Sequence, residues 1–259
     1  MVQPDYKVKP DHTPEFRRRR ALNWITLGLT YASMYMARYN FAFANKDLSD
    51  MYGFSKAEIG SIITFATLFY GLSAIFNGPL ADRIGGRKAM IIGALGAVVF
   101  NLAFGLGAYL GFLGTGSLLL GYMATVWTLN MYFQSYSALA VIKVNSAWFH
   151  VSERGVFSAI FGSMIQMGRF GVYALMTVPA VVLLPWQWKF FLPAIFAAVF
   201  ALLTFLFVRD TPKDTGLPEF DTRDATSGDT EAITLSYVAK KIFTNPITIC
   251  NPDLGILFI

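Results

Sequence analysis

Six apolar runs dominate the chain, at 21–44, 59–81, 89–110, 117–147, 156–184 and 188–208, each bounded by charged or turn-forming residues. A helix needs about 20 mostly apolar residues to cross ~30 Å of hydrocarbon, so each run predicts a membrane-spanning helix. A seventh run, 247–259, contains Asn251, Pro252 and Asp253 and is too short to span. The pattern predicts an all-α membrane protein in four parts. These are a basic segment 1–20, a six-helix transmembrane bundle 21–208, a cytoplasmic linker 209–246 and a truncated start of a seventh span 247–259. Within the linker, 232–243 has apolar residues at helical spacing beside Lys240 and Lys241, which predicts a short helix on the membrane surface.

Composition narrows the class. Hydrophobic residues make up 55% and charged residues 14% of the chain, with a mean hydropathy of +0.49, which argues against a water-soluble enzyme. One cysteine, Cys250, and two distant histidines, His12 and His150, leave no disulfide framework, no metal centre and no cofactor to expect. The formal charge of +5 is distributed unevenly: alternate connections carry fifteen Lys and Arg on one side and only Lys46 and Lys56 on the other. Such asymmetry orients a membrane protein, and nucleic acid is not needed as a partner to explain it. Both ends of the bundle are therefore expected in the cytoplasm, with 46–56 external, in the cell's inner (plasma) membrane. No small-residue cleavage site follows the first apolar run, so the Arg17–Arg20 cluster is not expected to precede a cleaved signal. His150 and Glu153 read as an exposed connection.

Polar residues inside the spans point to the chemistry. Arg38 lies deep in the first span, where a charge costs at least ~2.5–3.5 kcal/mol and must face protein or water. Tyr31, Tyr35 and Arg38 fall at i, i+4 and i+7, on one helical stripe. A guanidinium fork suits phosphate or carboxylate and phenols can donate to the remaining oxygens, so the stripe reads as an anion site. The competing reading is an arginine that snorkels outward or binds helix carbonyls. Arg169, deep in the fifth span with Gln166 and Tyr173 on its stripe, carries the same two readings. Tyr70 and Asn77 share a stripe in the second span, as do Asn130, Gln134 and Ser137 in the fourth; such groups also serve as interhelical hydrogen bonds. Nucleophile, base and orienting partner do not occur together in a polar setting, so the chain does not read as an enzyme.

The connection between the second and third spans, Gly78-Pro79-Leu80-Ala81-Asp82-Arg83-Ile84-Gly85-Gly86-Arg87-Lys88, resembles the signature of the major facilitator superfamily. Glycines permit a tight turn there, the aspartate can accept at a helix end, and Arg83, Arg87 and Lys88 hold the loop inside. Tyr31 through Arg38 to Asn40 and Phe41, a turn at Tyr70 to Ser73, Phe133-Gln134, Trp148, Glu153-Arg154-Gly155, Asp210-Thr211-Pro212 and Gly216-Leu217-Pro218 narrow this. They are similar to the organophosphate:phosphate antiporters, over about residues 20 to 245. The resemblance implies the amino-terminal half of a two-half fold, with substrate held between the halves and Arg38 as one of a pair of essential arginines. Tyr31, Tyr35 and Tyr70 match pocket tyrosines. This chain departs from the glycerol-3-phosphate carriers at three positions: it has Tyr39 for a lysine, Ala74 for a lysine and Ile165 for a histidine, with Arg169 one turn further on.

What the resemblance implies is a half or fragment of a secondary transporter. It would exchange glycerol-3-phosphate or hexose phosphate for inorganic phosphate, with Arg38, Tyr31, Tyr35, Tyr70, Gln134 and Arg169 in the site and a missing carboxy-terminal half or companion chain. Two other readings use the same pocket or none: a membrane receptor for an organophosphate, and an inactive truncated product.

Overall fold

The computed structural model describes residues 12–110, 116–218 and 222, and within them every regular element is helical. Helix α1, Pro14–Tyr39, starts where Thr13 accepts from the Phe16 amide at 3.2 Å and Pro14 supplies a preset backbone angle. It gives way at Asn40 to α2, Phe41–Tyr52, which ends on Gly53 in the left-handed conformation. Helix α3, Lys56–Ile84, opens on a reciprocal cap between Ser55 and Glu58. Then follow α4, Gly86–Leu106; α5, Ser117–Trp148; α6, Arg154–Met176; a short α7, Pro179–Val182; and α8, Trp188–Phe207.

These elements refine the sequence expectation in several places. The first apolar run is two helices that overrun it at both ends. The stretch Tyr70 to Ser73, expected as a turn, lies inside α3, because Gly71 is tolerated in a long helix whose other residues favour it. The fifth run ends as a continuous helix at Met176, since Pro179 begins a new turn. The expected surface helix at 232–243, the run 247–259 and most of the linker lie outside the described residues.

Helix α4 is central, packed along α5 on one side and α8 on the other; α3 covers α5, and α1 lies against α6 and α8. Two aromatic clusters close the ends. One gathers Phe16, Trp148, Phe149 and Phe157, at the end carrying the arginine run; the other gathers Phe41, Phe104, Trp127, Trp186 and Phe190, with Phe104 and Phe190 stacked at 4.4 Å. The outward faces stay apolar: Phe65, Leu72 and Phe76 of α3, Phe170 of α6 and Leu202 of α8 are all exposed. Large apolar side chains are thus exposed on several helices at once. Helices α3, α4 and α8, with mean hydropathies of 1.8, 2.2 and 2.5, are long and apolar enough to cross a membrane. Helices α1, α5 and α6 carry many of the polar residues that meet inside the bundle, and Tyr70 and Asn77 of α3 and Asn101 of α4 join them.

At the arginine-rich end the connections are tightly held. His150, expected to be exposed, is buried, and its Nδ1 lies 2.7 Å from Ser152 Oγ. Glu153 accepts from Arg20 Nη1 at 2.9 Å and from the His150 amide at 3.2 Å, tying α1 to the connection before α6. Burial pushes the Glu153 carboxyl up, but the Arg20 hydrogen bond and charge pull it down further, so it titrates below its ordinary value. A lowered folded-state value means the pair stabilises above the unfolded carboxyl's pKa of about 4.5 and is lost as pH falls through the folded one. Glu153→Gln should therefore lower thermal stability in detergent near neutral pH and flatten its decline on acidification. An unchanged acid limb would show that the pair does not contribute.

The signature connection forms a clasp. Gly85 has φ +89°, a value a side chain rarely adopts, and a Cβ there would meet Asp210 Oδ2 at 2.8 Å. Because Gly85 offers no side-chain cap, the start of α4 is capped from beyond α8: Asp210 Oδ1 accepts from the Arg87 amide at 2.7 Å. Arg87 Nη2 donates to the Phe205 carbonyl, and Asp82, expected to take an amide or arginine donor at a helix end, instead accepts from Lys143 Nζ at 2.9 Å. Arg83 and Lys88 are exposed, and Gly78 sits inside α3 before Pro79. At the opposite end Lys189 pairs with Asp47, adding a cation to the side on which the connections carry only Lys46 and Lys56.

Candidate anion-binding site

Three tyrosines climb one face of α1. Tyr31 meets Tyr35 edge to face at 5.1 Å, and Tyr35 stacks on Tyr39 at 6.0 Å, as the i, i+4 spacing dictates. Arg38 lies beside this ladder with its guanidinium carbon 4.8 Å from the Tyr35 ring centre and 4.6 Å from that of Tyr70 on α3. A cation held over aromatic faces keeps its in-plane N–H groups for other partners. One of these is used: Arg38 Nε donates to Gln134 Oε1 of α5 at 2.9 Å. Arg38 Nη2 is buried with no hydrogen-bond partner among the described residues.

Gln134 is itself fixed. Its Nε2 donates to Asn130 Oδ1 at 3.1 Å and to the Ala37 carbonyl, in the last turn of α1, at 3.3 Å. Asn101 of α4 donates to the same Ala37 carbonyl and to Asn130, and accepts from Asn40 Nδ2 at 2.8 Å. A polar chain thus runs from Asn40, where α1 gives way to α2, through Asn101, Asn130 and Gln134 to the guanidinium. Side chains locked in this way hold Arg38 in one orientation.

Arg169 arrives from α6 on the other side of the ladder, 4.8 Å from the Tyr39 ring centre and 5.7 Å from that of Tyr35, and its Nε is also buried and unpartnered among the described residues. Tyr35 is therefore common to both guanidinium groups. The approach depends on Gly168, whose added Cβ would lie 2.3 Å from the Ala32 carbonyl oxygen. An adjoining cavity of about 340 Å³ is lined by Arg38, Tyr39, Thr67, Tyr70, Trp127 and Met131.

All six residues expected from sequence, Arg38, Tyr31, Tyr35, Tyr70, Gln134 and Arg169, lie in this one assembly. Gln166 and Tyr173 do not: Gln166 is exposed, and Tyr173 leaves the stripe to pack against Phe43 at 5.0 Å. Asn77 bonds Ser135 and Ser137 bonds the Gln134 carbonyl, so both act between or along helices. Sequence reasoning does not pick out Asn101. Its signal is a lone amide in the otherwise apolar run 89–110.

A guanidinium with an unused donor, backed by phenols and a second guanidinium, can donate to a small oxyanion. The family model of the major facilitator superfamily matches residues 27–258. The chain belongs to this superfamily. It is 30% identical to the glycerol-3-phosphate transporter of Bacillus subtilis (strain 168) over 206 residues, covering 80% of this chain and 45% of that protein. Against the "Probable hexose phosphate transport protein" of Chlamydia trachomatis serovar D the identity is 25% over 226 residues, 85% of this chain and 47% of that one. Against the membrane sensor protein UhpC of Escherichia coli (strain K12) it is 26% over 212 residues, 82% and 45%. These names agree with the resemblance to the organophosphate:phosphate antiporters read from Arg38 and its neighbours. The chain spans slightly less than half the length of these relatives.

Proposed function

We propose that this chain forms the amino-terminal half of a secondary transporter for a phosphorylated small molecule, with Arg38 as its phosphate anchor. The observation that carries the reading is the Arg38 guanidinium, clamped by Tyr35, Tyr70 and Gln134 yet left with a buried, unpartnered Nη2 beside a cavity. An unpaired buried donor of a charged group is unfavourable by several kcal/mol, and a phosphate oxygen relieves it. Arg169 supplies a second positive charge in a chain that has Tyr39, Ala74 and Ile165 where glycerol-3-phosphate carriers have two lysines and a histidine. From the resemblance to the organophosphate:phosphate antiporters we infer exchange against inorganic phosphate by alternating exposure of the site. All six long helices, α1 with α2, α3, α4, α5, α6 and α8, then cross the inner membrane, with both ends of the bundle cytoplasmic.

Counterflow of labelled phosphate into proteoliposomes containing the full-length gene product and preloaded with glycerol-3-phosphate or glucose-6-phosphate tests the reading. Uptake that depends on the internal ester supports exchange; absence of counterflow with retained phosphate-ester binding supports the second reading, a membrane sensor, which the relation to UhpC favours. Topology is a separate test. Reporter fusions after Asp50 and after Thr215 should report opposite sides, external and cytoplasmic respectively. Both on one side would overturn the orientation.

A further inference from the structure

At the arginine-rich end of α1 a groove of about 530 Å³ runs between that helix and the segment following α8. Its α1 wall presents Glu15, Arg18, Arg19, Leu22 and Ile25, one helical face read from the helix start inward; Thr215 and Leu217 form the other wall. The order of chemistry along this face is acidic, doubly cationic, then apolar. Arg18 is exposed, and Leu22 and Ile25 are each 41% exposed. Arg19 is held in place because its Nη2 donates to the Phe207 carbonyl at 2.5 Å, and Arg209 beside it donates to the Leu206 and Val208 carbonyls at 3.1 and 2.8 Å. Arg20, on a different face, has Glu153 as its partner. Among the described residues Arg18, Arg19 and Arg209 have no ion pair with a carboxylate.

We propose that this groove binds one anionic phospholipid of the phosphatidylglycerol type, its phosphodiester on Arg18 and Arg19 and an acyl chain along Leu22 and Ile25. The sequence of groups matches such a lipid laid against α1 from headgroup to tail. Glu15, one turn further out, is placed to accept from glycerol hydroxyls, and the surplus positive charge favours a net anion over a zwitterion. The apolar floor separates a lipid from a free phosphate ester, which has nothing to place there. The site lies on the outward face of α1 and is independent of the transport reading.

Native mass spectrometry of the purified chain in detergent, titrated with phosphatidylglycerol or with phosphatidylcholine of the same acyl chains, tests the proposal. One phosphatidylglycerol should be retained in preference to phosphatidylcholine. Arg18→Gln with Arg19→Gln should weaken that preference by about fivefold for each charge removed, whereas Arg83→Gln with Lys88→Gln, which removes the same charge from the same end, should leave it intact. Leu22→Asn should loosen the lipid without altering charge. Equal retention of the two lipids by the unaltered chain would overturn the proposal, as would equal loss in the Arg83 and Lys88 variant. Displacement of the lipid by free glycerol phosphate at millimolar concentration would also overturn it, because the groove would then hold a headgroup anion alone.

Discussion

Arg38→Lys is expected to reduce binding of a phosphate ester by at least about tenfold, the equivalent of one charge-assisted hydrogen bond. Lysine keeps the charge but not the geometry. Its ammonium is a point donor on a flexible stem, whereas the Arg38 fork donates through Nε to Gln134 while keeping its buried Nη2 for a further acceptor. The variant also strands Gln134 Oε1, which accepts from Arg38, at the end of the Asn40, Asn101, Asn130 chain. Isothermal titration of the purified protein with glycerol-3-phosphate checks this, with Gln134→Ala as companion. Loss in the Gln134 variant should be smaller, because the guanidinium still has Tyr35 and Tyr70 against its faces. Undiminished binding by the lysine variant would place the anion site elsewhere in the molecule.

The stripe of Tyr31, Tyr35 and Arg38 is legible in the amino-acid sequence, because three residues at helical spacing with a charge among them leave few alternatives in an apolar run. Which side of the stripe each neighbour approaches is not. Tyr39 reads in sequence as the loss of a lysine; in the fold it is the platform on which Arg169 lies. That pairing joins residues 130 positions apart and depends on how closely α6 meets α1, which no local pattern encodes. Arg169 itself stands out as a charge in an apolar run, but Gln166 and Tyr173 on the same stripe are not separable from it, because helical periodicity gives a face and not its width. Asp210 capping α4 is similar. The sequence shows Gly85 and an aspartate after α8, while only the packing of α8 along α4 brings the carboxylate to the Arg87 amide. The connection before α6 misleads for a related reason: His150 looks solvated in sequence and is covered because Arg20 and Glu153 draw α1 against it.

Gly168→Ala is expected to lower the thermal stability of the protein in detergent and to weaken anion binding together, although residue 168 touches no ligand. The added Cβ would stand 2.3 Å from the Ala32 carbonyl oxygen and 2.9 Å from the Ala32 Cα. Ordinary contact begins near 3.4 Å. Backbone atoms of two packed helices cannot be displaced like a side-chain tip, so α6 must move away from α1 as a unit. Overpacking of this kind costs about 1–3 kcal/mol, enough to lower the unfolding midpoint by several degrees. The same displacement carries Arg169 off the Tyr39 and Tyr35 rings and widens the gap between the two guanidinium groups, so an anion that uses both loses one. Gly171→Ala, on the same helix, is the control: its Cβ would meet only Met36 side-chain atoms at 3.5 Å or more, an ordinary contact. Thermal unfolding and phosphate-ester titration of the two variants should separate them, with Gly171→Ala close to the parent in both. A Gly168 variant that is destabilised but binds normally would show that Arg169 takes no part in holding the anion. One that keeps both properties would mean that α1 and α6 do not meet as closely as their backbones lie here.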